Sequence, residues 1–501
     1  MDLLTSSYRP ISLLSVPFKV LERLILGRIT SIMEPVLQPE QAGFRPGRST
    51  VDQVLAITTY IENGYQNNLK TGFVFLDLTA AYDTVWHRAL LVKLSRVLPA
   101  WAVNAVELLI RDRMFRVHMG QKTSSWRRQV SGLPQGSVLA PTLFNVYTND
   151  LPPTKSRKFI YADDQSYGTQ AKNFEDLEET LNDDMTEIAA YCKRWRLIPS
   201  VTKTVCSVFH LNNKAAHRQL NVFLNRQQLK HDPTPVYLGV TLDRALTYRE
   251  HLQKTAAKVN TRNNIIQKLA GASWGASASV LKTSALALCY SVAEYCCPIW
   301  RASAHAKLVD TKLATTMRLI SGTLRPTQTP WLPTLSNIAP PDVRRMAASV
   351  NLMKKINDNP LLPVFLDIYD HPTARLPSRM PFWKNLPREQ FSSEAAWRAE
   401  WDTATVTNKH LVTDPTTRVP GFGLPRPVWS RLNRFRTGQG LCAANLHRWG
   451  RCDSPLCDCG ETQTMTHIVE NCRLMKLEGG LNKLHTADAE AIAWLGRTGK
   501  R

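Results

Sequence analysis

Val20, Leu21, Leu24, Ile25, Ile29 and Ile32 recur near the i, i+3/i+4 spacing of one helical face, which predicts a helix over about Val16 to Met33. A polar, glycine-punctuated stretch from Gln41 to Thr50 interrupts the pattern and predicts a loop, with Ser49 or Thr50 able to cap a second helix over Val51 to Asn63. Two short apolar runs follow, Phe73-Val74-Phe75-Leu76 and Phe159-Ile160-Tyr161-Ala162. Each is too short for a helix and fits a strand buried on both faces. The first runs into Asp77, the second into Asp163-Asp164. Between them the pattern predicts a helix at about Leu90 to Arg113 and a glycine-rich loop over Ser131 to Ser137. Helical spacing resumes from about Phe174 to Trp195.

Past Tyr237-Leu238-Gly239-Val240 the strand pattern gives way. Residues from about 248 to 325 are rich in Ala, Leu, Lys and Arg and predict an all-helical unit. Lys254, Lys258, Arg262 and Lys268 recur there near helical spacing, suited to a phosphate backbone or to a solvated face. From about 326 to 440 prolines and tryptophans predominate. That composition predicts an irregular connection with some helix, its tryptophans (Trp331, Trp383, Trp397, Trp401) suited to a core more than to stacking on bases.

The 501 residues exceed one compact core and suggest roughly two to four folding units. Lys and Arg number 63 against 41 Asp and Glu, a formal charge of +22. Such a chain suits polyanions, whether nucleic acid or an acidic surface. The longest apolar stretch, Ala285 to Trp300, is broken by Glu294 and Pro298 and falls short of the ~18–20 residues that span a bilayer. The N-terminus lacks a secretory pattern, so the expected location is intracellular, nucleus or cytoplasm, without membrane contact.

Asp77, Asp163 and Asp164 carry the candidate chemistry. Taken alone, an Asp-Asp pair is more often a turn than a site. If the two runs are neighbours in one sheet, however, the three carboxylates converge. They would then repel one another without bound cations, and hard oxygen ligands suit Mg²⁺.

The company these residues keep resembles the reverse transcriptases of non-LTR (LINE-type, jockey-like) retrotransposons. Leu76-Asp77-Leu78-Thr79-Ala80-Ala81-Tyr82-Asp83 resembles motif A, Gly132-Leu133-Pro134-Gln135-Gly136-Ser137 motif B, and Tyr161-Ala162-Asp163-Asp164 motif C. Upstream, Tyr8-Arg9-Pro10-Ile11-Ser12-Leu13 and Gln41 to Thr50 are similar to the finger motifs, and downstream Tyr237 to Val240 resembles the primer grip. The resemblance implies an α+β right-hand polymerase with an antiparallel palm sheet. Its divisions would be fingers 1–70, palm 71–243, a helical thumb 244–325, a basic connection 326–440, a small zinc-knuckle-like segment 441–480 and a tail 481–501.

The resemblance also implies roles. Asp77 and Asp163 would hold two Mg²⁺ ions, with Asp164 assisting. Tyr82 would lie beneath the incoming sugar, where a ring clashes with a 2′-hydroxyl; an ordinary core tyrosine fits the same position. Gln135 and Gly136 would approach the nucleotide and template. Arg45 and Arg48 would grip the triphosphate, although on such a loop they suit solvated surface charges equally. Lys203, in Thr202-Lys203-Thr204, would donate a proton to pyrophosphate or serve as a surface lysine. Asp83 would cap or brace the helix after motif A. The expected partners are an RNA template, a DNA primer or target, deoxynucleotides and other proteins of the same element. Motif D departs from the family in lacking its Asn, and no endonuclease domain precedes the fingers, which fits an N-terminally truncated element copy, a gene-model fragment or a piece of a longer protein. The rival expectation is a catalytically inactive remnant that only binds nucleic acid.

Five of the ten cysteines fall between Cys442 and Cys472, and the other five read as reduced core residues. Cys457, Cys459, His467 and Cys472 give C-x-C-x7-H-x4-C, three thiolates and an imidazole that could close a structural Zn²⁺ site, with Cys452 as a spare. A cysteine-rich tail without metal is the alternative. Jockey-like elements resemble this in carrying a Cys-Cys-His-Cys cluster near the end of the protein.

Overall fold

The computed structural model describes residues 11–271, 274–372, 374–388 and 390–498. Tyr8, Arg9 and Pro10 of the first finger motif, and the last three residues of the expected tail, lie outside them. The chain divides into two compact units, one running through Leu246 and including Lys355–Pro381, the other comprising Thr247–Lys354 and the chain from Phe382 on. No helix among the described residues is long and apolar enough to cross a membrane.

In the first unit the helices α1 (Val16–Met33) and α2 (Thr50–Gln66) precede strand β1 (Lys70–Leu76). Ser15 caps α1, and Ser49 and Asp52 form a capping box on α2, which stops that helix from running back into the polar loop. The single helix expected over Leu90–Arg113 is two, α3 (His87–Leu94) and α4 (Ala100–Ile110), because Pro99 stands at the N-cap of α4 and cannot continue a preceding helix. Then come α5 (Ala140–Tyr147), β2 (Arg157–Tyr161), β3 (Asp164–Ala171), α6 (Phe174–Arg194), β4 (Val205–Phe209) and β5 (Lys230–His231).

These strands form one sheet in the order β5–β4–β1–β3–β2, antiparallel except for the β5–β4 pair. Period-two alternation divides β1 between two cores. Val74 and Leu76 join Leu177, Leu181, Met185 and Ile188 of α6 on one face. On the other, Phe73 meets Tyr60 of α2 at 6.1 Å, Phe159 at 5.7 Å and Phe209 at 5.9 Å. Burial on both sides explains the unbroken apolar run.

The expected irregular connection over 326–440 is instead shared between the units. Arg379 pairs with Glu62 (2.6 Å), Arg157 with Asp367 (2.6 Å) and Lys355 with Asp52 (2.5 Å), which fastens 355–381 to the first unit. The rest is core of the second unit. There, helices Arg249–Leu269 and Lys307–Ser321 pack together, and buried Asn263 accepts from Thr316 (2.7 Å) and donates to the Lys312 carbonyl (3.0 Å). Trp331, Trp397, Trp401 and Trp429 are buried. Trp331 donates to the Thr407 carbonyl and Trp429 to the Ile320 carbonyl. Proline-rich composition masked these helices because several prolines sit at helix starts, as at Pro341 and in Arg426–Arg436.

The described part of the tail is also part of this core. Arg436, fully buried, donates to His485 Nδ1 (3.0 Å), to the His485 carbonyl (3.0 Å) and to the Pro420 carbonyl (2.6 Å). Those bonds lock helix Gly480–Thr486 against helix Arg426–Arg436.

Candidate active site and metal centre

The antiparallel register of β1 and β3 pairs Leu76 with Gln165. Asp77 follows Leu76 and Asp164 precedes Gln165, so both aspartates lie at the same end of this strand pair. Tyr161 pairs with Asp164, so Ala162 and Asp163 form a two-residue turn between β2 and β3. Ala162 takes a positive φ of 58° there. Three carboxylates from two distant segments thus stand at one end of the sheet.

Neighbours enclose them. Lys203 Nζ lies 3.9 Å from Asp77 Oδ2, on an exposed side chain. Its segment is held by the motif A strand: Ser200 N–H donates to the Asp77 carbonyl (2.8 Å), and Thr204 accepts from the Asp77 N–H (3.2 Å). The Tyr82 ring stacks on Phe144 (4.8 Å, 21°). Its hydroxyl is buried with no hydrogen-bond partner among the described residues. Burial, then the charge of Asp163, raises its pKa. Tyr237, in the hairpin Val236–Tyr237/Val240–Thr241, is raised by burial and then by Asp164, which places the expected primer-grip hairpin beside the same carboxylates.

The glycine-rich loop over Ser131–Ser137 closes on motif A. Gly132 N–H donates to the Val85 carbonyl and Leu133 N–H to the Tyr82 carbonyl, each at 2.8 Å. Gly132 has φ +87°, and a Cβ there would come within 2.7 Å of the Asp83 carbonyl oxygen, so the close approach needs glycine. Gln135 Nε2 donates to both oxygens of Asp83 (3.4 Å each). Asp83 therefore ties the two loops together; the next helix begins only at His87 and is not capped by it. Gly136 is exposed and its carbonyl neighbour Gln135 accepts from Ser12 N–H (2.8 Å).

The arginines of the glycine-rich finger loop are differently employed than expected. Arg45 is buried, with its guanidinium spent on Glu34 Oε1 (2.8 Å) and on the carbonyls of Gln38 (2.7 Å), Gln41 (3.0 Å) and Glu34 (3.1 Å). A triphosphate would have to displace these partners. Arg48 donates to the carbonyls of Pro39, Gln41 and Leu361, and burial, then Arg45, lowers its pKa to about 10.

The residue that sequence reasoning missed is Gln41. Its Oε1 accepts from the N–H groups of Gly43 and Ala162 (2.8 Å each), and its Nε2 donates to the Ala162 carbonyl (3.3 Å). Gln53 and Asn145 complete the clamp, donating to the Ile160 and Gly43 carbonyls at 2.8 Å. A Cβ on Gly43 would fall 2.3 Å from Ala162 N. Partners some 120 residues apart leave no local pattern.

In the second unit the ligand atoms of Cys457, Cys459, His467 and Cys472 all lie within 4.8 Å of one another. Thiolates bound to zinc at 2.3 Å stand roughly 3.7 Å apart, and Cys457 Sγ is 3.8 Å from Cys472 Sγ. His467 turns Nε2 to Cys459 Sγ (3.2 Å) and Nδ1 to Glu461 Oε2 (3.2 Å). A carboxylate behind the imidazole is the usual support of a metal-binding histidine. Burial pushes the Cys457 thiol up, but hydrogen bonds from Cys459 N–H, Gln463 and His467 outweigh it and bring its pKa down to about 6. The donor set fits Zn²⁺; Cys452 stands outside the group.

A sheet ending in clustered carboxylates beneath a finger loop and a glycine-rich loop defines a polymerase-type fold that mixes helices and strands. Residues 2–242 match the family described as reverse transcriptase (RNA-dependent DNA polymerase). That stretch is a reverse transcriptase domain, and the chain is a relative of the non-LTR retrotransposon polymerases. It is 36% identical over 267 residues to the probable RNA-directed DNA polymerase from transposon BS of Drosophila melanogaster, covering 51% of this chain and 29% of that protein. It is 31% identical over 333 residues to the corresponding X-element protein of the same organism, covering 63% of this chain and 36% of that protein. The chain thus spans about a third of the length of these curated relatives. Apo telomerase from Candida tropicalis overlaps 70% of this chain and 54% of its own at 12% identity, with a TM-score of 0.36, too slight a likeness to argue from.

Proposed function

We propose that the chain is an RNA-directed DNA polymerase that copies an RNA template from a DNA 3′ end, using deoxynucleotides. The observation that carries this reading is the β1–β3 register, which brings Asp77 to the end of the sheet where Asp164 begins β3, with Asp163 in the adjoining turn. Two Mg²⁺ ions held by Asp77 and Asp163, with Asp164 assisting, would supply activation of the 3′-hydroxyl and charge neutralisation at the leaving pyrophosphate.

The chain's own groups do the rest. Lys203, beside Asp77, donates a proton to the departing pyrophosphate. Tyr82, fixed by Phe144, presents its ring under the sugar and excludes a 2′-hydroxyl. Gln135 and Gly136 border the nucleotide and template. Gln41 is a positioning residue that holds the Ala162–Asp163 turn. Arg45 braces the finger loop instead of binding phosphate, and Arg48 is held to the same loop by the Pro39 and Gln41 carbonyls. The four-residue cluster around His467 binds a structural Zn²⁺ whose task is to order its own segment. Fingers to residue 70, palm 71–243 and helical thumb 244–325 are the working divisions of this reading.

Extension of oligo(dT) on poly(rA) with Mg²⁺ tests it. The expected result is extension by the wild-type chain and none by Asp163→Asn. Absence of Asp163-dependent extension would leave only the nucleic-acid-binding remnant.

A further inference from the structure

A polar cavity of about 560 Å³ opens at the opposite end of β1 from Asp77, among residues 65, 67–70, 172, 210–212 and 375–376. Strand β1 runs from Lys70 to Leu76, so the two ends are separated by roughly 20 Å at 3.3 Å per residue. Lys70, Lys172 and Arg375 line the cavity and none of the lining residues carries a carboxylate. Among the described residues no ion pair engages these three cations, or Arg244 behind them.

His210 also lines the cavity and is buried. Its Nδ1 lies 3.5 Å from Arg244 NH1, which also donates to the His210 carbonyl (2.7 Å). A guanidinium can only donate, so Nδ1 must accept, and the ring proton then sits on Nε2. That Nε2–H has no hydrogen-bond partner among the described residues. Burial, then Arg244 and Lys70, lowers the His210 pKa to about 4, which keeps the ring neutral at pH 7. A buried donor without an acceptor costs about 1–3 kcal/mol, and what would relieve it is an oxygen. Arg375 is already fixed by the carbonyls of Tyr65 (2.7 Å) and Gln66 (3.1 Å), and Lys70 by the carbonyl of Lys172 and the Phe174 ring (5.0 Å). Neutral carbonyls hold these cations in place without cancelling their charge.

We propose that this cavity is an anion site for a phosphate group, with His210 Nε2–H, Lys70, Lys172 and Arg375 as its donors. The phosphate comes either from a free phosphate compound or from the backbone or 5′ end of a single strand. The site is separate from the carboxylates, and the proposal does not rest on the polymerase reading.

Calorimetric titration of the full chain, with no added divalent cation, tests it with two probes: inorganic phosphate and 5′-phosphorylated pentathymidylate. The wild-type chain is expected to bind one phosphate saturably. Lys172→Glu, an exposed position that leaves the fold intact, is expected to weaken binding at least tenfold, the effect of losing one charge-assisted hydrogen bond. His210→Phe is expected to do the same while its melting curve matches the wild type. Tighter binding of the oligonucleotide, equally lost in Lys172→Glu, would assign the site to a strand; binding of inorganic phosphate alone would assign it to a free compound. No saturable phosphate binding, or equal affinity in wild type and Lys172→Glu, would overturn the proposal. If His210→Phe fails to fold, Lys172→Glu decides.

Discussion

Asp77, Asp163 and Asp164 take their places from a sheet, whereas Cys457 and Cys459 take theirs from turns and His467 and Cys472 from the two ends of one short helical segment, His467–Asn471. The carboxylates ride on strands buried on both faces, and their spacing follows from register and from the Gln41 clamp on Ala162. The thiolates stand on short loops tied by single backbone bonds, such as Cys457 N–H to the Glu461 carbonyl (2.7 Å) and Cys472 N–H to the His467 carbonyl (2.8 Å). A sheet can hold charges together against their repulsion before any cation arrives. That segment buries only a few apolar residues, Val469 and Leu477 among them, and on the proposed reading a bound metal would order it. On the proposed reading, the first site would take a metal that exchanges and the second a metal that stays.

This contrast can be broken experimentally. The largest expected effect is at the sheet: Asp163→Asn lowers primer extension at least 10³-fold, about 4 kcal/mol in transition-state stabilisation, with the melting curve unchanged. Next is Cys472→Ser, or treatment with a zinc chelator. Elemental analysis should show loss of one zinc per chain, and limited proteolysis should cut between residues 442 and 478. A structural zinc contributes roughly 10 kcal/mol in peptides, so its removal unfolds the segment. Chelation that leaves proteolysis unchanged would mean that the turns hold themselves.

Gln41→Ala should lower kcat about 10–100-fold with KM little changed, because small misplacement of the reacting groups is enough for such a loss. A rise in KM alone would show that Gln41 does not position the turn. Tyr82→Ala should raise ribonucleotide incorporation about tenfold relative to deoxynucleotides, read from competing single-nucleotide extensions.

The smallest effect concerns the scaffold beneath the sheet. Lys93 is buried at 2.6 Å from the Tyr147 carbonyl, and burial, against the pull of Asp150, lowers its pKa to about 8. The unfolded chain holds that proton up to its ordinary value of 10.5, so it binds more protons above pH 8 and stability rises with pH there. Buried Cys192 and Cys206, pushed up to about 12 from 9.0, act the other way above pH 9. Chemical denaturation of the wild type and Lys93→Met between about pH 7.5 and 9 isolates the lysine; the variant should lack the rise.

The strands and their terminal aspartates could be read from the chain because apolar runs and motif order are local signals. Helices Val16–Met33 and Phe174–Arg194 carry the same kind of signal in their periodicity. What the sequence hid was which side chains meet. Gln41 looks like any polar loop residue until Ala162 is beside it, and Glu461 until His467 is. Arg45 looks available for phosphate until Glu34 folds over it. The proline- and tryptophan-rich stretch concealed helices because its prolines occupy helix starts and its tryptophans find backbone carbonyls within the core.

Iron-directed cleavage tests most directly whether Asp77 and the Asp163–Asp164 turn share metal ions. With Fe²⁺ in place of Mg²⁺, ascorbate and peroxide release hydroxyl radicals that cut the backbone beside the bound ion. Paired cuts near residues 77 and 163 are expected, both lost in Asp163→Asn. Cuts near one segment alone, or cuts that persist in the variant, would contradict it.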